Sequence, residues 1–430
     1  MVEASRTGGA RTRWQRLTAL VALLLTFSLI AAACGGDDDD EGSSGSDGGG
    51  EAGGGESEDE GGGVSGEPIK IGVTISLSGP AGTIGETQLA GIEMAVDELN
   101  EGDGILGRPV DLVVKDDASD PTKAAQNMRE LVDQEEVKLV FGPTLSSPAL
   151  AATPIASDAG VIQFSSSVAP ELGDPSQYPY FFRVSPAAAL QAVTFVEYIE
   201  ASGWSKVGLL AVNNALGSSN VEAFKGAIAG TDIEIVSTET HESGAVDLTT
   251  QVSSLERSGA EVVLVLNTAT SDQIAAVKAR NGIEWDVPML GFSSMSNPAV
   301  AAGVGGSMEG VYSGQQVRNL TVGNVPEQGE RFLEGIREKL GQDPLTEDVS
   351  QAAVGYDAIM MMAAAVNEVG DLDDPDAIAA AIEDGSPWDG AVKAAFVYDG
   401  EQHDGETLED LVFVLADSFD DGLYEIAPNQ

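Results

Sequence analysis

IKIGVTISLSGPAGTIGETQLAGIEMAVDELN (69–100) decides the fold. Its first nine residues, IKIGVTISL (69–77), are apolar and β-branched enough for a buried strand, and Ser78-Gly79-Pro80 stops it. Leu89, Ile92, Val96 and Leu99 then recur at the 3.6-residue spacing of one helix face. A strand feeding directly into a helix is the unit of a parallel sheet with crossover helices. The unit repeats: PVDLVVKDDA (109–118) holds a strand, a helix starts near Pro121, VKLVFGP (137–143) is the next strand, a helix runs from Ser147, and VIQF (161–164) is a fourth strand.

After the Pro/Tyr-rich PSQYPYFFRVSP (175–186) the alternation restarts. Helix 189–202 precedes strand KVGLLAVN (206–213), helix 218–229 precedes DIEIVSTET (232–240), helix 248–258 precedes AEVVLVLN (260–267), and helix 271–281 leads to PMLGF (288–292). Two successive series of similar length predict an α/β protein of two similar lobes, not one large sheet. Helical stretches at 326–340, 350–369 and 375–384, then strand-like AVKAAFVYD (391–399), LVFVL (411–415) and LYEI (423–426), complete both lobes, so the chain crosses between them several times. Tyr178, Tyr180, Phe181 and Phe182 read as lobe packing.

The formal charge of −49, from 70 Asp+Glu against 21 Lys+Arg, excludes a nucleic-acid partner, because neutralising phosphates takes clustered cations. One cysteine and two histidines leave no intramolecular disulfide, no cysteine-rich metal site and no poly-His zinc centre. No cofactor is expected: no Walker A loop, nucleophile elbow, metalloprotease pair or dinucleotide fingerprint stands in context. Asp116, Asp117 and Asp120 look like a metal cluster on paper but read as helix-capping and turn residues, and His241 and His403 read as solvated surface residues.

The N-terminus is an address and a tether. Arg6, Arg11, Arg13 and Arg16 precede the apolar LTALVALLLTFSLIAAA (17–33), which resembles a Sec-type export signal occupying 1–33. Cys34 follows Ala31-Ala32-Ala33 as in a bacterial lipobox, so it is expected to be acylated and to anchor the chain to the membrane. Residues 35–66 carry a net charge of −11 and one branched aliphatic, Val64, too little apolar surface to offset ordering. They form a tether spanning on the order of 30 Å. The folded part, 67–430, holds 17 Lys+Arg against 58 Asp+Glu, an excess that fits a heavily hydrated surface in a saline medium.

In open α/β sheets, ligands bind beyond the carboxyl ends of the strands. Two such loops are rich in hydroxyls: Gly142-Pro143-Thr144-Leu145-Ser146-Ser147-Pro148 and Ser165-Ser166-Ser167. With their backbone N–H groups they make an uncharged anion site suited to one carboxylate; the alternative use is N-capping, and one serine can serve both.

ISLSGPAGTIGETQLAGIEMAVDELNEGDGILGRPVDLVVKDDASDPTKAAQNMRELV (75–132), VKLVFGPTLSSPA (137–149), APEL (169–172), YFFRVSP (180–186), GYDA (355–358) and FVYDGEQ (396–402) resemble the branched-chain amino-acid binding proteins, the type I periplasmic binding proteins of ABC importers. The resemblance implies two Rossmann-like lobes joined by three crossovers, with 67–184 and 317–390 in lobe 1 and 185–316 and 391–430 in lobe 2. It implies a small-molecule ligand closed upon at the hinge, and an ABC permease with its ATPase as partners. Ser146 and Ser147 match the loop holding the ligand's α-carboxylate, Ser165, Ser166 and Ser167 the loop touching carboxylate and ammonium, and Ile84 a pocket wall that is often aromatic. Asn214 and Ser294 are the second-lobe candidates. There the pattern departs: Ala215 stands where an aromatic residue covers the ligand, and Gly291-Phe292-Ser293-Ser294 has serine where amino-acid binders place a carboxylate for the ammonium. The family's disulfide positions are Ser119 and Leu145. A sensory lipoprotein of the same fold, disfavoured because the chain ends at Gln430 without a signalling module, and a hydrolase built on Ser165–Ser167 with His241 are the other readings.

Overall fold

The computed structural model describes residues 64–392, 395–408 and 411–429; the export signal, Cys34 and the tether up to Gly63 lie outside the described residues. Strands β1 (Ile69–Ile75), β2 (Val110–Asp116), β3 (Leu139–Phe141), β4 (Ile162–Ser165) and β5 (Phe181–Arg183) form a parallel five-stranded sheet in the order β2-β1-β3-β4-β5. The helices α1 (Gly82–Glu101), α2 (Pro121–Asp133) and α3 (Ser146–Asp158) are its crossovers. A parallel sheet covered on both faces needs continuous apolar strands, which is why all of β1 except Lys70 is buried.

The second lobe repeats the plan. Helix α4 (Ala188–Ala201) leads to β6 (Lys206–Val212), followed by α5 (Ala215–Ala227), β7 (Glu234–His241), α6 (Thr249–Arg257), β8 (Val262–Leu266), α7 (Thr270–Gly282), β9 (Met289–Gly291), α8 (Pro298–Val304) and β10 (Val311–Val317). The chain then forms α9 (Glu327–Leu340), α10 (Ser350–Val369) and α11 (Pro375–Asp384), and β11 (Leu411–Leu415) closes the second sheet antiparallel to β10. The second sheet runs β11-β10-β9-β8-β6-β7. In each sheet one early strand lies between the next two, so the strand order reverses between β1 and β3 and again between β6 and β8. Loops leaving a sheet at such a reversal diverge and open a crevice.

Helices α1 and α10 lie against one another at glycine. A Cβ on Gly91 would stand 1.8 Å from Ala352 O, and one on Gly355 2.5 Å from Gln88 O, so only glycine permits this approach. Their apolar faces join Ile71, Val73, Phe164 and Phe182 in the first core.

The observed structure corrects several expectations. Among the described residues, 391–392, 395–399 and 423–426 are not in strands; they carry isolated bridges, Trp388 with Phe396 and Thr321 with Tyr424. The described residues of 391–430 do not all pack in the second core. Phe396 and Tyr398 pack in the first core, where the Tyr398 ring stands edge-on to Phe164 and Phe182. The fully buried Arg183 ties this segment down through Asp404, Nε to Oδ1 at 2.6 Å, and its remaining donors reach the carbonyls of Ser167 and Ala169. Only from β11 onward does the C-terminal segment join the second core, through Phe413 and Ala427. Strands β5 and β10 carry no clear strand signal, being an aromatic run after Pro179 and a Gly-Gln-Gln sequence, and exist because a sheet edge is there to pair with.

Both histidines are buried, not solvated. His403 stacks on Phe182 at 4.2 Å between ring centroids, with Nε2 2.9 Å from Glu383 Oε1 and Nδ1 2.8 Å from Phe181 O. His241 ends β7, with Nδ1 2.9 Å from Glu242 O and Nε2 3.2 Å from Asn267 Nδ2.

Candidate ligand-binding cleft

The loops leaving β1, β3, β4, β6, β8 and β9 surround a cavity of about 100 Å³, small beside the roughly 300–1,000 Å³ of a drug-sized site. Ile84, Ser146, Ser166 and Ser294, four of the eight candidate residues, line it together. Leu216, Thr268 and Phe292 face them from the second lobe.

Gly142 starts the β3 loop with φ +103°, and a Cβ there would lie 1.9 Å from Thr74 O. This backbone path brings Thr144 to Gln88, a fully buried residue of α1. Gln88 Oε1 accepts from Thr144 Oγ1 (2.8 Å), and its Nε2 donates to Ser166 Oγ (2.9 Å) and Gln351 Oε1 (3.0 Å). One side chain thus ties two loops and helix α10 together around the cavity. The sequence does contain its signal: Gln88 sits one turn before Ile92 on the buried stripe of α1, a polar residue at an apolar position.

Ser146 opens α3 without capping it. The N-cap is Leu145, with no side-chain cap, and the buried Ser146 Oγ has no hydrogen-bond partner in the protein. The first-turn N–H groups of a 13-residue helix lack intrahelical acceptors and concentrate positive potential there. The hydroxyl and the helix terminus face one space, an arrangement that accepts an anionic or carbonyl oxygen.

The serine triplet divides by role. Ser166 lines the cavity and its O accepts from Ser185 Oγ at 2.6 Å. Ser165 Oγ donates to Pro143 O (2.6 Å) and accepts from Ser167 N (3.0 Å), while Ser167 Oγ accepts from Ala169 N (3.4 Å). Ser165 and Ser167 brace the loop backbone and do not line the cavity, because successive residues leaving a strand point to opposite sides.

A second compartment of about 310 Å³ adjoins the first and shares Leu145, Ser146, Leu216 and Thr268 with it. Ser147 and Asn214 line this compartment and not the first. Asn214 caps α5, its Oδ1 accepting from Gly217 N at 3.2 Å. Ser294 Oγ accepts from Gln273 Nε2 at 2.7 Å. The charged lining residues are Asp348 in the first compartment and Asp272 in the second; neither lining includes Lys, Arg or His.

The aspartates near Ser119 act as turn and capping groups. Asp120 N-caps α2, and Asp117 accepts from Ser76 Oγ and Ser119 N. Burial pushes the Asp117 carboxyl up despite those two bonds. Asp116 accepts from Leu77 N, Ser78 Oγ and Ala118 N. Desolvation raises the Asp116 carboxyl, but the Ser78 hydroxyl and the two N–H groups outweigh it and hold the group below its ordinary value.

Similarity to known proteins follows the same architecture. The chain is 25% identical over 343 residues to the Leu/Ile/Val-binding protein homolog 8 of Brucella abortus, covering 76% of this chain and 83% of that one. The branched-chain amino acid transporter substrate binding protein LivJ of Streptococcus pneumoniae, solved with isoleucine, superposes with a TM-score of 0.71 at 23% identity, covering 84% of this chain and 99% of that one. A solute binding protein of an ABC transporter from R. palustris, solved with benzoate, superposes with a TM-score of 0.73 at 20% identity over 84% and 95% of the two chains. The sequence profile described as periplasmic binding protein matches residues 68–418, across both sheets and the cleft between them; the chain belongs to that family.

Proposed function

We propose that this chain is the extracytoplasmic solute-binding component of an ABC importer, taking a small amino acid or related carboxylate or amide into its cleft and handing it to a membrane permease driven by an ATPase. The observation that carries the reading is Ser146: a buried hydroxyl without a protein partner, at the N-terminus of α3, where the two lobes face one another. The ligand's oxygen end docks on Ser146 and the N-terminus of α3 in the first lobe, while Ile84, Leu216 and Phe292 wall its apolar part. Closure of the second lobe is favoured only by molecules it contacts in the closed state, which is how binding shifts the population. Cys34, acylated and left as the new N-terminus once 1–33 is removed, holds the domain at the extracytoplasmic face of the cell membrane through the acidic tether.

Binding without turnover is part of the reading, since His241 is turned to Glu242 and Asn267 and to no serine. Thermal-shift screening of amino acids, amides and small carboxylates tests it. A melting temperature unmoved by all of them at millimolar concentration would defeat it. Mass spectrometry of the mature protein tests the anchor, which an unmodified Cys34 would remove.

A further inference from the structure

The first compartment is walled largely by hydroxyl and apolar side chains; the second has a surplus of acceptors. Asp272 and Asn267 are both fully buried and both line it, and each carries an oxygen, Asp272 Oδ2 and Asn267 Oδ1, without a hydrogen-bond partner in the protein. Ser271 Oγ donates to the other Asp272 oxygen at 3.2 Å. The nearest cation-forming group, His241 Nδ1, stands 3.9 Å from Oδ2, too far for a hydrogen bond, and is engaged with Glu242 O instead. The Asn267 amide is oriented with Nδ2 towards His241 Nε2, which leaves its oxygen free.

Two buried oxygens without a hydrogen-bond partner in one cavity call for a donor-rich guest, because each loses its water on burial; at the Asp272 carboxyl, His241, the Ser271 hydroxyl and the N–H groups of Ala245 and Gly244 offset only part of that loss. Ser146 belongs to both compartments, so a molecule docked there by its anionic end has the second compartment open to its other end. Asp348, the acid of the first compartment, already accepts from Ser350 N at 2.9 Å. Burial pushes the Asp272 carboxyl up against the opposing pull of His241, and a cation brought by the ligand would offset that desolvation.

Resting on the reading of the cleft as a ligand site, we propose that the second compartment is a cation subsite and that the ligand is a zwitterion, its carboxylate on Ser146 and the α3 terminus, its ammonium or guanidinium group on Asp272 and Asn267. Asp272 would then supply the carboxylate that Ser293 and Ser294 lack.

Isothermal titration with the series from 3-aminopropanoate to 6-aminohexanoate, each beside its parent carboxylate, and of lysine beside norleucine, separates the two ends. At least one amino form is expected to bind roughly tenfold or more tightly than its parent, the scale of a hydrogen bond to a charged group. Asp272→Asn is expected to bring that ratio within about threefold, and Asn267→Ala to reduce it in the same direction. Parent carboxylates binding as tightly as every amino form would overturn the subsite and leave the proposed function standing. A preference that survives D272N but is lost in Asp348→Asn overturns it too, placing the cation in the first compartment. Failure of every member of the series, together with all α-amino acids and small carboxylates, defeats the function reading itself. The wild-type comparison stands whether or not the variants fold.

Discussion

Replacing Ser146 by alanine should separate stability from binding. In most buried positions a lost hydroxyl costs stability because its partner is stranded. Ser146 Oγ has no protein partner and does not cap α3, so Ser146→Ala strands nothing. A buried polar group left without a partner carries a penalty of about 1–3 kcal/mol, which the substitution relieves, while the small void left behind takes part of that back. The ligand-free variant is therefore expected to match the wild type or exceed it by up to about 1 kcal/mol. Binding moves the other way: a hydroxyl bonded to a carboxylate contributes about 1.5–3 kcal/mol, so affinity should fall about tenfold to a hundredfold. Ser165→Ala is the contrast. It removes the bond to Pro143 O and strands the Ser167 N–H, so it should cost about 2–3 kcal/mol with little direct effect on affinity. Urea unfolding and isothermal titration, run on both variants with the ligand found by screening, measure the two quantities. A Ser146→Ala protein that is destabilised by more than about 1 kcal/mol and binds as well as the wild type would refute the assignment.

Gly91→Ala should cost about 1–3 kcal/mol or more, since the new Cβ meets the Ala352 carbonyl between α1 and α10; a fold stability within about 0.5 kcal/mol of wild type would show that the helices part easily. Asp404→Asn leaves the fully buried Arg183 guanidinium without its counter-charge and should destabilise by about 3–5 kcal/mol, measured by urea unfolding, with the 396–404 segment losing amide-exchange protection first. Asp116 is held below its ordinary value in the folded chain, so its contribution is fully present above the unfolded carboxylate range of about pH 4 and is lost as the pH falls through the lower folded value. Asp116→Asn should therefore flatten the acid limb of the stability curve, and an unchanged limb would reject the bonds to Leu77, Ser78 and Ala118 as its origin. With 58 acidic against 17 basic residues in 67–430, stability should rise with added salt through screening of self-repulsion, and a fall would count against the saline-adapted surface.

The alternation of strand and helix in 69–292 was legible because each element carries its own period within a few residues, and helices α10 and α11 fall at the bounds their spacing predicts. The same reasoning found the two hydroxyl loops, since a polar loop after a buried strand is a local pattern. What the sequence could not rank was one serine against its neighbour. Ser146, Ser165, Ser166 and Ser167 are the same residue type in similar loops, and only the packed backbone decides which hydroxyl meets the cavity and which meets Pro143 O.

Contacts remote along the chain were equally out of reach. Asp404 carries no local signal for its partner Arg183, 221 positions away, and that pair, with Phe396 and Tyr398, holds the segment against the first core. His241 and His403 lie in polar local sequence yet are buried, because burial is set by what arrives from elsewhere: Asn267 in one case, Phe182 and Glu383 in the other. Periodicity and strand ends were enough to read the two wound lobes and the two hydroxyl loops from the sequence alone. Only the tertiary structure sets the acceptors of Asp272 and Asn267 in one compartment with Ser146, because those groups come from strands and helices that meet only when both lobes are folded.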